Sequence, residues 1–351
     1  ETTRYAHMVS LEHHPSEAHP ERVFAAWQAG NVREGASDQH IRLAVSLDGG
    51  FHWKPSDVVV EAHGVPVWGP VLHSDSASGK LWLFYSRSRH NCTIKTRDDW
   101  HAPGGDVMVV VSSDTEKVGS WSAPRTLLPL ANTDPGNPDQ PAPRVTANRL
   151  ATLQTQVVGS KAQPTALSTW LLPIWTESRG QCGDLSRDKA MLLASTDQGK
   201  TWSIRGGIPR RNETWFIENT LDVSNTHNHL LQLFRTKRER VFASRSRDAG
   251  FTWSLPEATP LPNPDSKVFL LRLGDGSLLC AYNSASVRGK RTNLHLARSV
   301  DGGREWEAVA VLEDDKGAEF SYPSVVQVPQ ANHTKIVVAF TYATFKITHF
   351  G

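Results

Sequence analysis

The sequence predicts an all-β protein, a six-bladed β-propeller that runs through residues 1–351 as one domain. Three observations predict it. A short motif recurs as Ser46-Leu-Asp48-Gly-Gly50-Phe-His-Trp53, Ser195-Thr-Asp197-Gln-Gly199-Lys-Thr-Trp202, Ser246-Arg-Asp248-Ala-Gly250-Phe-Thr-Trp253 and Ser299-Val-Asp301-Gly-Gly303-Arg-Glu-Trp306, all fitting S-x-D-x-G-x-x-W. The last three copies are 51 and 53 residues apart by their aspartates, the spacing of one four-stranded blade per repeat, so 351 residues hold about six blades. Between the copies, short β-rich runs such as Leu81–Tyr85, Val107–Val111, Leu278–Tyr282 and Lys335–Phe340 alternate with turn residues, and no amphipathic helix appears.

Each part of the motif has a structural reason. The Asp accepts hydrogen bonds from backbone N–H groups two residues on, the Gly supplies a positive φ, and the Trp buries a large ring beside a hairpin. These aspartates therefore read as a clasp between two outer strands and not as catalytic acids. A fifth, stretched copy runs from Ser112 and Asp114 to Gly119 and Trp121. The 83-residue gap from Asp114 to Asp197 is read as a blade that lacks the motif. No linker or charge block divides the chain.

Composition narrows the function. A 38% hydrophobic content with 12 Trp provides a large core, and 38 basic against 36 acidic residues (formal charge +2) give no footprint for nucleic acid or an anionic membrane. No apolar run reaches the length of a membrane span, and the first residues do not form a signal peptide. Three N-x-S/T sequons, at Asn91, Asn212 and Asn332, are compatible with a secreted or extracellular glycoprotein. Cys92 and Cys182 lie in polar loop sequence where an oxidising compartment would allow a bridge, whereas Cys280 reads as a buried strand thiol.

The four boxes and the strands around them resemble the sialidase (neuraminidase) superfamily, whose Asp-box or BNR repeats sit on a six-bladed propeller. The resemblance spans essentially the whole chain. It looks closest to the branch carrying W-x-P-V-L followed by G-x-L-x-L-F-Y, here Trp68-Gly-Pro-Val-Leu72 and Gly79 to Tyr85, with a late Leu261-Pro-Asn-Pro264 and Glu319-Phe-Ser-Tyr-Pro323. What it implies is an exo-acting retaining glycosidase that removes a terminal, acidic sugar from an extracellular glycan.

The resemblance also implies a site. Asp38, in Arg33-Glu-Gly-Ala-Ser-Asp38 ahead of the first box, matches the general acid/base; its other reading is a cap on the Gly35-Ala-Ser turn. Glu218 and Arg235, at the two ends of Trp215-Phe-Ile-Glu218 through Leu233-Phe-Arg235, match the base and a substrate clamp. Arg291 matches a second clamp, with Arg288 its competitor, and Tyr322 matches the nucleophile. A phenol suits a sugar with a carboxylate on its anomeric carbon, because a carboxylate nucleophile would meet like-charge repulsion there. With an unperturbed pKa of about 10 the phenol needs a base, and arginines grip a carboxylate bidentately at any working pH. In the family a further arginine stands near the N-terminus, whereas here Thr3-Arg4-Tyr-Ala-His7 places His7 nearer than Arg4 to the inward position. Protonated near or below its reference pKa of about 6.5, His7 would complete the clamp only at low pH.

No HExxH, CxxC pair, GxGxxG, P-loop or G-x-S-x-G occurs, so neither an organic cofactor nor a catalytic metal is expected. The alternative from another class is a glycan-binding or assembly propeller without turnover, in which tryptophans such as Trp68, Trp100 or Trp175 stack on sugar faces.

Overall fold

The structure is a computed structural model that describes residues 3–89, 100–112, 114–115, 120–130, 142–155, 167–178, 184–211, 214–224 and 228–344. Twenty-three strands form six separate antiparallel sheets, with one short 3-10 turn at Leu185–Arg187 and no α-helix among the described residues. Blade 1 is β1 (Tyr5–His13), β2 (Val23–Gly30), β3 (His40–Ser46) and β4 (Asp57–Val60). Blade 2 is β5 (Val67–Asp75), β6 (Lys80–Arg87), β7 (Asp106–Ser112) and β8 (Arg125–Leu128). In blade 3 the innermost strand is split into β9 (Arg144–Thr146) and β10 (Ala151–Thr155), both paired with β11 (Leu167–Thr176), and β12 (Lys189–Ser195) and β13 (Ser203–Pro209) follow. Blade 4 is β14 (Ile217–Val223), β15 (Leu230–Arg235), β16 (Arg240–Ser246) and β17 (Glu257–Pro262). Blade 5 is β18 (Phe269–Arg272), β19 (Leu278–Asn283), β20 (Leu294–Ser299) and β21 (Glu307–Glu313). The last sheet pairs only β22 (Ala318–Pro329) with β23 (Thr334–Thr344).

The expected six blades are thus corrected to five complete ones and a two-stranded sheet. The reason lies in the boxes: each regular box is the turn that leaves the third strand of a blade for its fourth, and among the described residues the last sheet has neither a box nor an outer hairpin. The wide gap between Asp114 and Asp197 is likewise corrected. Both aspartates follow third strands of adjacent blades, and the extra length is spread over the split inner strand of blade 3, the segment before it, β11 and the connections on either side of β11, so no blade is skipped.

Box geometry matches the expected clasp with one change of register. In the second regular copy Ser195 Oγ donates to Asp197 Oδ1 at 2.8 Å and accepts from Gly199 N at 2.8 Å, Asp197 accepts from Thr201 N, and Trp202 Nε1 donates to Gly199 O at 3.0 Å. The Asp therefore reaches N–H groups three or four residues on, as Asp48 and Asp301 also do, and not two. Hydrogen bonds to the charged form, first from the Thr201 hydroxyl and then from its N–H, hold the Asp197 carboxyl at about 2.

No single core lies on the axis; apolar layers fill the wedges between neighbouring sheets. Ile41 and Leu43 meet Leu72 and Leu83, Val71 and Phe84 meet Leu172 and Leu193, and Leu171 and Leu192 meet Leu221 and Leu230. Leu231 and Leu233 meet Leu270 and Leu278, Phe269 and Leu279 meet Val325, and Val326 and Val328 close the ring on Leu11 and Val23. Each fully buried aliphatic side chain contributes about 1.5–3 kcal/mol, so the wedges are the principal source of stability. A cation from the preceding sheet also grips each regular box: Arg125 Nη2 donates to Gly199 O at 2.7 Å, Arg205 Nη1 to Ala249 O at 3.1 Å, Arg245 Nη1 to Gly302 O at 2.8 Å and Lys335 Nζ to Gly49 O at 3.0 Å.

Box glycines press into these wedges. Gly199 has φ +80°, and a Cβ there would lie 2.7 Å from Trp82 Cη2 and 2.9 Å from Trp170 Cζ3. Gly199→Ala is expected to lower unfolding stability by about 2 kcal/mol or more, combining an unfavourable φ with overpacking against two buried rings. Urea unfolding measures it, and a loss below about 0.5 kcal/mol would show that the wedge yields.

Cys280 is a buried free thiol, as its strand context implied. Asn332 is exposed in the turn between β22 and β23, whereas Asn91, Asn212, Cys92 and Cys182 lie outside the described residues.

Candidate functional site

The innermost strands share a device that the sequence pattern does not announce. The pairing of β1, β5, β14 and β22 with the next strand shifts register at one level, after His7, Trp68, Ile217 and Ser321. The first residue of each bulge has a left-handed backbone: Met8 at φ 57°, Gly69 at 54°, Glu218 at 50° and Tyr322 at 55°. Only Gly69 is free of Cβ strain; the other three cost about 1–3 kcal/mol each and persist because the surrounding strands over-determine them. Two residues beyond the bulged residue, a hydroxyl ties the ring together. Ser10 Oγ accepts from Leu72 N at 3.0 Å, Thr220 Oγ from Leu270 N at 3.1 Å, and Ser324 Oγ from Leu11 N at 2.9 Å.

At this level a cavity of about 410 Å³ opens at one end of the propeller axis. Residues from five inner strands line it, among them His7, Trp68, Val145, Glu218 and Tyr322, together with Glu34, Trp100, Glu177, Asp265 and Arg291 from loops. Arg235, at the end of β15, is the hub. Its Nη1 donates to Glu218 Oε1 at 2.9 Å and to Tyr322 Oη at 2.6 Å, and its Nε donates to Asp265 Oδ1 at 2.7 Å. One nitrogen therefore brings the glutamate and the phenol together on the cavity floor. The second oxygen of Glu218, Oε2, is buried without a hydrogen-bond partner. Burial pushes the Tyr322 phenol up, against the pull of Arg235 and Arg291.

Arg291 donates from Nη1 to Glu319 Oε1 at 3.1 Å and from Nη2 to the Asp265 carbonyl at 2.8 Å, and its Cζ lies 5.3 Å from the centre of the Tyr322 ring. Its Nε is buried without a partner, a donor left for a ligand. Arg288, the competitor, stands at the rim with a side chain 65% exposed and donates to Asp265 Oδ2 at 3.2 Å. Burial acts to raise the Asp265 carboxyl, but Arg235, Lys237 and Arg288 together outweigh that penalty and lower it.

Three sequence expectations change here. The His7 ring sits 4.0 Å from the Tyr322 ring and bonds through Nδ1 to Thr341 Oγ1 at 2.9 Å. Desolvation, reinforced by the Arg291, Arg235 and Lys267 charges, lowers it to about 3, so the expected titrating cation is corrected to a neutral imidazole at physiological pH. Asp38 is not among the residues that line the cavity: Oδ2 accepts from Asn31 N at 2.6 Å, and Oδ1 is buried beside Gly30 without a hydrogen-bond partner. Arg4 is exposed and outside the lining, its N–H bonded to Gly30 O at 3.1 Å.

Glu34, on the same loop four residues before Asp38, takes the place that Asp38 was expected to fill in the cavity wall. Gln28 links it to the next blade, Nε2 donating to Tyr5 Oη at 2.7 Å and Glu34 Oε1 at 3.3 Å while Oε1 accepts from Gly69 N at 3.0 Å. Glu34 is exposed at the cavity wall; the surrounding protein raises its carboxyl by desolvation, the Tyr5 hydrogen bond and the Arg235 charge oppose this, and the Glu218 and Glu177 charges raise it further. Glu177, bonded to Trp175 Nε1 at 3.1 Å, and Asp265, directly after the Leu261-Pro-Asn-Pro264 run, were also missed by the sequence reading. No cluster of three metal-ligating side chains occurs among the described residues, and no helix there is long and apolar enough to cross a membrane.

His7 carries a stability prediction. Its folded pKa lies below the unfolded value of about 6.5, so the unfolded state binds the proton first and stability is lost as pH falls from about 6.5 towards 3. Relative to His7→Gln, wild type should lose up to about 1.4 kcal/mol per pH unit in that window. Urea titrations of both proteins between pH 4.5 and 8 check this, and parallel curves would place His7 in solvent.

Residues 21–334 match the family described as the BNR repeat-like domain. The chain belongs to this BNR-repeat family. Its fold is that of the sialidases. A crystal structure of a protein of unknown function from Dyadobacter fermentans is 15% identical, covering 97% of this chain and 91% of that one, with a TM-score of 0.70. The Hadza microbial sialidase Hz136 is 17% identical over 97% of this chain and 66% of its own, with a TM-score of 0.70. Trypanosoma rangeli sialidase in complex with the inhibitor DANA is 15% identical over 97% of this chain, with a TM-score of 0.67. The BNR-repeat chain spans only 54% of that enzyme's length. No curated protein matches it.

Proposed function

We propose that this BNR-repeat protein is an exo-acting retaining glycoside hydrolase that removes a terminal sugar bearing an acidic group from a glycan. The observation that carries the reading is the shared Arg235 Nη1, which bonds Tyr322 Oη and Glu218 Oε1 at the foot of a tryptophan-walled cavity. In the first step Tyr322 Oη bonds to the anomeric carbon and gives its proton to Glu218, while the glycosidic oxygen leaves with a proton from Glu34. In the second, Glu34 takes a proton from water, the water oxygen bonds to the anomeric carbon, and Tyr322 leaves and recovers its proton from Glu218. Arg235 and the open Nε of Arg291 face the acidic group, and neutral His7 packs beneath the nucleophile. His7 then adds no pH dependence to the affinity for an acidic sugar as pH rises through 6.5, because it has no charge to lose there. Equilibrium binding of a sialic acid analogue to wild type and His7→Gln between pH 5 and 8 tests this; a tenfold fall in wild type that His7→Gln abolishes would restore the titrating imidazole. Secretion remains part of the proposal, supported by the exposed sequon at Asn332.

A panel of aryl sialosides, related nonulosonates, rhamnosides and glucuronides tests the activity, and release from none of them would overturn it. A second reading, a glycan-binding propeller without turnover, is favoured by the replacement of a cation with neutral His7 and by Trp68, Trp100, Trp175 and Trp215 in the cavity wall. Binding on a glycan array with no cleavage in the panel would select it.

A further inference from the structure

Beneath the cavity floor lies a basic side chain that the reaction above does not use. Lys267, two residues before β18, is 1% exposed and is among the largest fully buried side chains. It does not line the cavity. Its Nζ donates to the carbonyl of Pro323 at 2.9 Å, the second residue of the bulge that begins at Tyr322, and lies 5.3 Å from the centre of the Phe269 ring. A nearby tie from blade 3 reaches the adjoining residue: Asn148 Nδ2 donates to the carbonyl of Glu218 in β14 at 2.8 Å and more weakly to that of Val268 at 3.4 Å. The bulged residues of β14 and β22 are thus held from below by side chains of blades 3 and 5.

A buried ammonium is costly unless something on the page compensates it. Among the described residues its only hydrogen bond is to a carbonyl, and the compensating charge is Glu218. The other charged and titratable groups around this floor include His7 from β1, Arg235 from β15, Arg291, Tyr322 from β22, and the carboxylates Glu34, Asp265 and Glu319. A hydrophobic residue would fill the same volume more cheaply, so the charge has a use.

We propose that Lys267 is a positioning residue: its ammonium holds the Tyr322–Pro323 bulge through the Pro323 carbonyl and so fixes the nucleophile within the cavity floor. This rests on the glycosidase reading for its consequence in catalysis, but the electrostatic coupling stands apart from it. Desolvation draws Lys267 down to about 7, and Glu218 is the charge that keeps it from falling further.

The test has two arms. In protein carrying lysine labelled with carbon-13 at Cε, the Lys267 resonance is assigned by its loss in Lys267→Met, or in Lys267→Arg if the first variant does not fold. It should titrate near 7, apart from surface lysines near 10.4, and Glu218→Gln should move its midpoint down by about one unit. A midpoint with the surface lysines, or one unmoved by Glu218→Gln, overturns the proposal. In the kinetic arm, Lys267→Met should lower kcat by about 10²-fold with KM changed less than about threefold, the signature of a misplaced nucleophile. An unchanged kcat overturns the proposal as well. If wild type cleaves no glycoside, the glycosidase reading falls and the titration arm alone decides the coupling.

Discussion

Tyr322→Phe should reduce kcat by at least about 10³-fold while leaving the fold intact, because it removes the one atom that the proposed chemistry needs and little else. Phenylalanine keeps the ring against His7 at 4.0 Å and beneath Arg291, and it accepts the same strand environment. Arg235 loses one acceptor and retains Glu218 Oε1 and Asp265 Oδ1, so no guanidinium is left unpaired in the buried floor. Thermal unfolding should therefore change little. The decisive measurement is mass spectrometry of the protein treated with a mechanism-based glycosyl inactivator: wild type gains one glycosyl group on Tyr322 and the variant gains none. Activity within tenfold of wild type would remove Tyr322 from the chemistry and with it the retaining mechanism.

The second large effect separates two acids on one loop. Glu34→Gln should lower kcat/KM about 10²- to 10⁴-fold on substrates with poor leaving groups and far less on activated aryl glycosides, since only the former need a proton on the departing oxygen. Its raised pKa sets the sign of the pH dependence: the acid must be protonated, so wild-type activity falls as pH rises through the Glu34 titration, and that alkaline limb should weaken in the variant. Asp38→Asn should act differently. It exchanges a charge-assisted hydrogen bond from Asn31 N for a neutral one, costing about 1 kcal/mol of stability, and should change both substrate types within a fewfold factor. Leaving-group-dependent loss in Asp38→Asn, with none in Glu34→Gln, would return the acid role to Asp38.

The contrast between these residues shows where sequence reading succeeds. Asp boxes are legible because their chemistry is local: Ser195, Asp197, Gly199 and Trp202 satisfy one another within eight residues, and any chain with that pattern forms the same turn. Strands such as Leu81–Tyr85 and Leu278–Tyr282 are legible for the same reason, since β-rich composition and flanking turns are properties of a short window. The clamps on the boxes were not legible, because Arg125 or Lys335 is one more surface cation until the next sheet places a box carbonyl in front of it. Blade number was misjudged because a spacing near 50 residues counts repeats and cannot register a sheet that stops at two strands.

Within the site, Glu218, Arg235, Arg291 and Tyr322 were named from their order in the chain, and the fold does bring them to one cavity. Asp38 and Glu34 differ by one turn of a loop, and which carboxylate turns inward is set by Asn31, Gly30 and Gln28, partners the sequence does not reveal. Lys267 and Asp265 had no signal beyond position, since nothing local distinguishes a lysine that meets β22 of the neighbouring sheet from one in solvent.

By itself, then, the sequence determined the repeat, the strand content and the identity of the residues that local turns consume, because those depend on hydrogen bonds and burial within about ten residues. Tertiary structure decided the charge state of His7, the choice of Glu34 over Asp38 at the cavity wall and the left-handed bulges at Met8, Glu218 and Tyr322. The charge state of His7 depends on desolvation and on charges more than two hundred residues away in sequence, and the bulges on pairing and packing between strands, whereas the loop of Glu34 and Asp38 is set by contacts whose geometry the sequence does not show.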